Sequence, residues 1–176
     1  MEVIENKKLI DSIRNVMDYP KPGILFKDIT PLLKDPELFS LLIEKLYELL
    51  KDVDFKYIVS IESRGFILGS ALANKMNKGF VPARKKGKLP YKTIQEEYKL
   101  EYGYATLEMH IDAIENGDRV VIVDDLLATG GTAKATCNLI NKLNGVVACA
   151  CFAIELKQLK GREFLKPVKT TSLLQF

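Results

Sequence analysis

Two adjacent carboxylates follow an apolar run near the middle of the chain and precede a short loop of small residues. Residues 120–123 are all β-branched, which is typical of a strand buried on both faces of a parallel sheet. Asp124 and Asp125 come next, and residues 128–132 read Ala-Thr-Gly-Gly-Thr. Ligands of open α/β sheets bind outside the carboxyl ends of the strands. The acids and the loop are therefore expected at a ligand site.

The loop of residues 128–132, called the phosphate loop below, has the composition of an anion cradle. Backbone N–H groups of small residues can approach an anion closely. Ala135, Leu139 and Leu143 fall on one helical face, which predicts a helix after the loop, with Thr132 as its N-cap. A helix N-terminus suits a phosphate, and carboxylates accept hydrogen bonds from ribose hydroxyls. The chemistry that fits this point is binding of a sugar phosphate.

Neither of two common phosphate-binding motifs occurs in this stretch. It is not a Walker A loop, and it is not the Gly-x-Gly-x-x-Gly fingerprint of dinucleotide sites. The alternative is a strand that ends in a tight turn with a solvated acidic pair. Two acids beside a Thr-Gly-Gly-Thr cradle are more than such a turn requires, which favours a binding site.

Residues 124–132 resemble the diphosphoribosyl-binding signature of the type I phosphoribosyltransferases, in particular of the branch that uses adenine. Residues 22–31 are similar to the purine-binding segment of that branch, and residues 62–66 to its pyrophosphate loop. Residues 84–90 and 100–103 resemble the two ends of its mobile hood. Five matching segments in chain order over most of the sequence are far more specific than any one of them.

The resemblance implies the α/β fold of the type I phosphoribosyltransferases, with a central, mostly parallel sheet flanked by helices. Helical and strand patterns alternate through the middle of the chain, which favours the same architecture. The 176 residues are expected to form a single phosphoribosyltransferase domain. Within it we expect a small purine-binding hood region at residues 1–35 and a flexible lid at residues 84–104.

The periodicity of apolar residues predicts the elements that position these segments. Helices are expected over residues 6–17 and 65–76, and from Pro36 with Asp35 as N-cap. Strands are expected over residues 57–61, 80–83, 119–123, 146–154 and 170–174, the last at a sheet edge, and a hairpin or bent strand pair over residues 98–110. Residues 85–97 are polar and lack an apolar face, which is typical of an active-site lid without regular structure.

The resemblance implies transfer of the 5-phosphoribosyl group from phosphoribosyl pyrophosphate to adenine, giving AMP and pyrophosphate. The residues expected to bind the donor are Asp124, Asp125, Ala128, Thr129, Gly130, Gly131, Thr132, Glu62, Ser63, Arg64, Lys85, Lys88 and Tyr102. The expected catalytic residues are Glu101, Arg64 and Arg84. The two arginines would neutralise the departing pyrophosphate, and Glu101 is a candidate for handling the imidazole proton of the purine.

The residues expected to bind adenine are Leu25, Phe26, Lys27, Leu126 and Leu127. Backbone groups near Leu25 and Lys27 would offer a carbonyl to the 6-amino group and an N–H to N1. Lys27 departs from the family pattern, because many relatives carry arginine there. The exchange is tolerable if the backbone reads the base, and it is not neutral if the side chain does so.

Magnesium is the cofactor that the resemblance implies. It would be bound mainly through phosphoribosyl pyrophosphate, with Asp124 and Asp125 as indirect ligands. The resemblance also implies a homodimer. The three cysteines lack metal-binding spacing, and no apolar run is long enough to span a membrane. We therefore expect a cytoplasmic protein that does not bind membranes.

The net charge of +3 does not favour a nucleic-acid partner. Residues 84–92 nevertheless contain five basic residues and no acid. This patch suits a small polyanion such as pyrophosphate, the alternative being a solvated basic loop.

Two further functions remain open at this point. One is a phosphoribosyltransferase for a 6-oxopurine, orotate or uracil, against which residues 23–31 argue. The other is a regulator that keeps the fold and binds the sugar pyrophosphate without chemistry while acting on nucleic acid. The intact hood, Glu101 and the lack of an added basic DNA-binding module count against the regulator.

Overall fold

The computed structural model of the protein describes residues 2–99 and 103–176. The chain divides into two compact units, residues 1–45 and residues 46–176. The single domain, the hood at residues 1–35 and the mobility of residues 84–104 stay predictions.

The first unit contains a two-stranded antiparallel hairpin between helices. Its elements are α1 (Glu2–Ser12), β1 (Arg14–Met17), β2 (Leu25–Asp28), α2 (Thr30–Lys34) and the beginning of α3 (Pro36–Leu50). The carboxylate of Asp35 accepts the backbone N–H groups of Glu37 and Leu38 at 2.9 and 3.0 Å. The predicted start of α3 at Pro36, with Asp35 as its N-cap, is confirmed.

The predicted helix over residues 6–17 is wrong in its second half. α1 ends at Ser12, and Arg14–Met17 pair with Leu25–Asp28 in the hairpin. The Nη2 atom of Arg14 lies 2.5 Å from Oδ2 of Asp28, its partner in the register. Pairing with residues further along the chain outweighs the local helical periodicity. The expected purine-binding residues Leu25, Phe26 and Lys27 therefore lie in the second strand of this hairpin, β2.

The second unit is built on a seven-stranded sheet. Its strands are β3 (Tyr57–Ile61), β4 (Gly79–Lys85), β5 (Thr93–Lys99), β6 (Tyr104–His110), β7 (Arg119–Leu127), β8 (Val146–Glu155) and β9 (Thr170–Gln175). The spatial order is β5-β6-β4-β3-β7-β8-β9, with β4, β3, β7, β8 and β9 parallel and the hairpin β5–β6 antiparallel at one edge. The predicted α/β fold with a mostly parallel sheet is confirmed.

Helices cover both faces of this sheet. The helix α5 (Gly131–Lys142) contributes Ala135, Leu139 and Ile140 to the core cluster that contains Val120 and Ile122 of β7. The helix α4 (Arg64–Lys75) packs against β3 and β7 on the other face, so residues 120–123 are completely buried. A short helix α6 (Gly161–Phe164) follows β8 after a 3-10 turn at Lys157–Leu159. Neither of the last two elements was predicted.

The central strand β7 is longer than expected. Its predicted end was residue 123, but pairing with β8 continues to Leu127, which lies opposite Glu155. Asp124, Asp125 and Leu126 therefore belong to the strand rather than to a turn after it. The extra backbone pairing fixes the direction in which each of these side chains points.

The lid region is more regular than its composition suggested. Residues 93–99 form β5, which pairs with β6, and Ile94 and Tyr98 pack half-buried against the core. Expecting residues 85–97 to lack both regular structure and an apolar face was therefore wrong. Residues 94, 96 and 98 are the alternating half-buried positions of this strand, and one of them is the charged residue Glu96. The alternation of apolar residues that predicts a strand is therefore weak here. The expected hairpin over residues 98–110 is present but begins earlier, at Thr93.

Glu96 fastens the hairpin to α5. Its Oε2 atom lies 2.7 Å from Nζ of Lys142, and its Oε1 atom accepts a hydrogen bond from the side chain of Asn138 at 2.7 Å. Lys142 also donates to the backbone carbonyl of Gln95 at 2.6 Å. The hydrogen bond from Lys142 lowers the pKa of the Glu96 carboxyl, so the carboxylate that makes these contacts is the stable form at neutral pH.

We expect Glu96→Ala to loosen β5 without unfolding the sheet, because the variant removes both contacts to α5. Hydrogen–deuterium exchange at neutral pH should show faster exchange of the amides of residues 93–99, while the amides of β8 stay protected. The exposed neighbour Glu97 provides the control variant Glu97→Ala. Equal protection of β5 in the wild type and both variants would show that Glu96 does not hold the hairpin.

Candidate functional site

A pocket lies over the end of the central strand in the second unit. It is lined by Asp124, Leu126, Leu127, Ala128, Thr129, Gly130, Gly131, Thr132, Ala133 and Phe152. The structure thus brings one of the two acids, both predicted leucines and the whole phosphate loop to one place. Phe152 was missed by sequence reasoning. It pairs with Asp124 in the register of β7 and β8, so a correct strand alignment is the signal that would have found it.

The phosphate loop turns into α5 at a glycine. Gly130 is the N-cap residue, with a φ of 86°, a left-handed conformation that glycine adopts without steric cost. The predicted N-cap Thr132 lies within the first turn instead, so that prediction was wrong. The first N–H groups of a helix have no intrahelical partner. Those that begin α5 at Gly131 therefore line the pocket as donors suited to a phosphate.

The two acids have different partners, although their carboxyl groups lie close enough to interact with each other. The carboxylate of Asp125 pairs with Nε of Arg64 at 2.6 Å and is only 7% exposed. Asp124 lines the pocket, where its Oδ1 atom accepts the backbone N–H of Asp125 at 2.9 Å. Asp125 therefore orients Arg64, whereas Asp124 offers its carboxylate to the pocket.

Burial and the neighbouring charge of Asp125 raise the pKa of the Asp124 carboxyl well above its ordinary value. A group that is costly to ionise in the free protein gains from hydroxyl donors or a cation that approach it. The helix α4 also lies very close, because a Cβ atom added to Gly65 would fall 2.6 Å from Oδ1 of Asp124. A side chain at residue 65 would displace the acid from this position.

A second ion pair joins the segment after β3 to the end of β4. The guanidinium of Arg84 meets the carboxylate of Glu62 with two contacts, Nη2 to Oε1 at 3.0 Å and Nε to Oε2 at 3.2 Å. Glu62 also accepts the backbone N–H of Lys85, and Arg84 donates to the backbone carbonyl of Lys88 at 2.7 Å. The hydrogen bond from Arg84 lowers the pKa of the Glu62 carboxyl. The structure thus gathers Glu62, Arg84, Lys85 and Lys88 into one cluster.

Ser63 is the residue between the two ion pairs. It is the N-cap residue of α4, and its peptide bond to Glu62 is cis. Arg64 then opens α4 and reaches Asp125. The expected pyrophosphate-binding arginines are thus each held by a carboxylate.

The other predicted adenine-binding residues belong to the first unit. Leu25, Phe26 and Lys27 form most of β2 in the first unit. There the ring of Phe26 meets Tyr19 edge to face with centroids 5.1 Å apart, and Nζ of Lys27 donates to the side chain of Asn15 at 2.8 Å. Glu101 and Tyr102 lie outside the described residues.

The end of β5 reaches the phosphate loop. A Cβ atom added to Gly131 would lie 3.4 Å from the backbone carbonyl oxygen of Lys99 and 3.7 Å from the ring of Tyr98. The strand that Glu96 fastens to α5 therefore ends against the start of the same helix. Neither residue was predicted at the site, because the sequence did not show that this strand ends against α5.

Two features are absent from the part of the chain that the structure describes. Among residues 2–99 and 103–176, no helix has the length and apolar character needed to cross a membrane. Nor does this part of the chain hold a group of three or more His, Cys, Asp or Glu side chains placed to bind a metal ion.

Comparison with known proteins identifies the family. The family model described as "Phosphoribosyl transferase domain" matches residues 29–172. The chain belongs to the phosphoribosyltransferase family. The match includes both ion pairs and the phosphate loop, and the family expected from the five sequence segments is confirmed.

Several relatives of this phosphoribosyltransferase are similar over nearly the whole chain. The adenine phosphoribosyltransferase of Brachyspira hyodysenteriae is 55% identical over 169 residues, which cover 96% of this chain and 99% of that protein. That of Halothermothrix orenii is 57% identical over 163 residues, covering 93% and 96%. The crystal structure of adenine phosphoribosyltransferase from Thermoanaerobacter pseudethanolicus has a TM-score of 0.96 and 48% identity, covering 97% of this chain and 99% of that chain.

We expect Asp124→Asn to bind the donor less well and yet to be more stable. Loss of a charged hydrogen-bond acceptor costs about 1.5–3 kcal/mol, so the KM for phosphoribosyl pyrophosphate should rise roughly 10- to 100-fold. Because the pKa of Asp124 is raised in the folded state, its ionisation opposes folding above the ordinary pKa of aspartate, about 4. The gain in Tm should therefore be present at pH 7 and vanish in acid.

The neighbouring variant Asp125→Asn serves as the comparison. It weakens the ion pair with Arg64, so we expect it to lower Tm at pH 7 and also to impair donor use. Thermal denaturation at several pH values and steady-state kinetics measure both effects. Unchanged donor kinetics in the two variants would contradict the donor-binding role of the pair.

Proposed function

We propose that the protein transfers the 5-phosphoribosyl group of phosphoribosyl pyrophosphate to adenine, giving AMP and pyrophosphate. The reaction makes it a pentosyl-transferring glycosyltransferase of purine salvage. The observation that carries the proposal is the pocket in which the phosphate loop, at the start of α5, stands beside Asp124. Relatives more than half identical over nearly the full chain carry the name of this activity.

Donor binding divides between the two ends of the donor. The 5-phosphate lies at the phosphate loop, where backbone N–H groups and the hydroxyls of Thr129 and Thr132 are the donors. Asp124, which lines the pocket, accepts hydrogen bonds from the ribose hydroxyls. The same role for Asp125 stays a prediction from the sequence, because Asp125 is paired with Arg64. Arg64, Arg84 and the lysines near Arg84 neutralise the pyrophosphate. The two ion pairs support this division, because each holds an arginine in a defined orientation before the donor arrives.

The chemical step needs charge stabilisation rather than a protein nucleophile. The bond between C1 of the ribose and the pyrophosphate oxygen breaks through an oxocarbenium-like state, while N9 of adenine forms the new bond and adenine loses a proton. The arginines stabilise the negative charge that develops on the leaving pyrophosphate. Exclusion of water by the lid strengthens these interactions. Glu101, for the proton, and Tyr102, for the closed lid, stay proposals from the sequence.

Magnesium fits the residues at this site as a partner of the donor. Carboxylate oxygens are ligands that Mg²⁺ accepts, and the ion usually keeps one or two protein carboxylates together with substrate phosphates and waters. Burial and the neighbouring charge of Asp125 raise the pKa of the Asp124 carboxyl, so a nearby cation would favour its charged form. Asp124 and Asp125 would hold the ion indirectly, and the ion would supply neutralisation of the pyrophosphate charge.

The adenine-binding set, namely Leu25, Phe26, Lys27, Leu126 and Leu127, stays a prediction in this proposal. Selection for adenine would depend on a backbone carbonyl and an N–H near Leu25 and Lys27. The strand β2 holds this backbone in a defined geometry, since all four of its residues pair with β1. The side chain of Lys27 meets Asn15, which agrees with a reading of the base by the backbone rather than by this side chain.

Two alternatives are less favoured. A transferase for another base and a non-catalytic sensor of phosphoribosyl pyrophosphate share the fold, and the sensor would need only the phosphate loop and the acids. Relatives named for the adenine reaction cover nearly the full chain, and this similarity favours the enzyme that uses adenine. A cytoplasmic location remains part of the proposal.

We expect the purified protein, given phosphoribosyl pyrophosphate and Mg²⁺, to form AMP from adenine and to reject hypoxanthine and guanine. A 6-oxopurine presents an oxygen to the carbonyl and an N–H to the N–H. Each unpaired polar group costs roughly 1–3 kcal/mol, so kcat/KM should differ by a factor on the order of 10²–10⁴. Chromatographic detection of the nucleotide products measures it.

The outcomes of this assay separate the three functions. Formation of AMP alone supports the proposal. Comparable turnover of adenine and hypoxanthine would assign the protein to the 6-oxopurine transferases. Binding of phosphoribosyl pyrophosphate without any nucleotide product would identify a sensor.

We also propose that the protein is a homodimer, because the first unit exposes apolar side chains. Met17 is 67% exposed, and Tyr19 and Leu25 of the same hairpin region are 54% and 41% exposed. Two-fold dimers are the commonest soluble oligomers. Light scattering at micromolar concentration should give twice the 19.8 kDa mass of the chain, and a single monomeric mass would refute the dimer.

A further inference from the structure

The short helix α6 supports the phosphate loop by direct backbone contact. A Cβ atom added to Gly130 would lie 2.8 Å from the carbonyl oxygen of Gly161. Conversely, a Cβ atom added to Gly161 would lie 3.1 Å from the backbone nitrogen of Gly130 and would collide with the carbonyl oxygen of Ala128. Gly161 is not among the residues that line the pocket. The two glycines therefore let two stretches of backbone touch, with no side chain between them.

The collision would not be easily relieved. The atoms that a side chain at Gly161 would meet include the backbone of Ala128 and Gly130, which cannot rotate away as the end of a flexible side chain can. The left-handed φ of Gly130 already fixes the turn into α5. Movement of the loop would therefore move the N–H groups proposed to hold the 5-phosphate.

Arg162 anchors the segment that carries Gly161. Its guanidinium contacts both carboxylate oxygens of Glu155, with Nε to Oε1 at 3.0 Å and Nη2 to Oε2 at 2.5 Å. It also donates to the backbone carbonyl of Thr170 and to the hydroxyl of Ser172. Glu155 is 6% exposed and ends β8. The residue after Gly161 is thus tied to two strands of the sheet.

Glu155 links this anchor back to the pocket. It lies opposite Leu127 in the register of β8 and β7, and the next N–H along the chain, that of Leu156, donates to the carbonyl of Leu127 at 2.9 Å. Leu127 immediately precedes the phosphate loop. The end of β8, which leads to Gly161, is therefore hydrogen-bonded to the end of β7, which leads to the phosphate loop.

We propose that Gly161 and Arg162 are positioning residues for donor binding. Gly161 allows the backbone of α6 to lie against Ala128 and Gly130, and Arg162 holds α6 there through Glu155. The inference rests on the proposed function, because it assigns the 5-phosphate to the supported loop. Neither residue contacts the substrate in this role. Both act by holding the N–H groups of the loop in the geometry that binds a phosphate.

Gly161→Ala is the first test, and Gly145→Ala is its matched control. Gly145 lies beyond the other end of α5, where an added Cβ would press on the side chains of Ile114 and Ile140 at 2.9 and 3.0 Å. Both variants add one methyl group at a crowded glycine of the second unit. Only Gly161→Ala presses on the backbone of the phosphate loop.

We expect Gly161→Ala to raise the KM for phosphoribosyl pyrophosphate about tenfold or more, equivalent to about 1.4 kcal/mol per factor of ten. The KM for adenine at saturating donor should stay within about twofold. Calorimetric affinity for ribose 5-phosphate, which carries the same phosphate, should fall in parallel. Gly145→Ala should lower Tm with little change in either the donor KM or the affinity for ribose 5-phosphate.

Arg162→Lys provides a second variant in case Gly161→Ala does not fold. It keeps a cation beside Glu155 but loses the two-pronged contact, so we expect the same selective rise in donor KM at smaller amplitude. Equal losses for donor and adenine, or a loss of ribose 5-phosphate affinity in Gly145→Ala as large as in Gly161→Ala, would overturn the inference. Unchanged donor binding in both Gly161→Ala and Arg162→Lys would also overturn it.

The readouts separate failure of this inference from failure of the proposed function. Ribose 5-phosphate binding needs no turnover, so it reports on the loop even if the wild-type protein forms no AMP. A wild type that forms AMP, together with variants of normal donor affinity, would refute the positioning role alone. If the wild-type protein binds ribose 5-phosphate but forms no AMP, the proposed enzymatic activity is refuted. The positioning role is then decided by the ribose 5-phosphate affinities of the variants.

Discussion

Consecutive carboxylates at the end of a buried strand are the constraint on which this site depends. Asp124 and Asp125 repel each other, and burial makes each charge costlier. The structure compensates one of them, because Asp125 pairs with Arg64 at 2.6 Å. The carboxylate of Asp124 faces the pocket instead, where a ligand can interact with it. The close approach of α4 follows from the same requirement, since Arg64 reaches Asp125 from the first residue of that helix and Gly65 leaves room for Asp124.

The same logic governs the cations. A site that receives a polyanion must keep several positive groups together, and these repel one another until the anion arrives. Carboxylates of the protein hold the two arginines meanwhile, Asp125 for Arg64 and Glu62 for Arg84. Each pair also fixes the plane of a guanidinium, which limits the ordering that remains when the ligand binds. Acidic residues beside a pyrophosphate site are therefore consistent with anion binding, provided that each is partnered by a cation.

The elements that could be predicted from the sequence are those in which one physical effect dominates. The buried strands β3, β7 and β8 each contain a run of mostly apolar residues, and the cap of α3 is a local hydrogen bond at Asp35. Both can therefore be predicted from residues that are neighbours in the sequence. Elements that depend on contacts with distant parts of the chain could not be predicted in this way. β1 exists because β2 pairs with it, and β5 exists because β6 and α5 hold it. The N-cap at Gly130 was missed because the sequence also offered a conventional cap at Thr132.

The backbone contact between Gly161 and the phosphate loop is of a kind that a sequence motif does not reveal. Gly130 belongs to the recognised signature, and its conformational role is visible in the sequence as a Gly-Gly pair. Gly161 stands 31 positions later in a segment without any recognisable pattern, and its role exists only through the contact between two backbones. A loop made of small residues is adaptable, so its anion-binding geometry must be imposed from outside it. Neighbouring backbone on one side and the end of β5 on the other supply that constraint here. The motif names the groups that bind the phosphate, and the surrounding fold determines whether they converge on it.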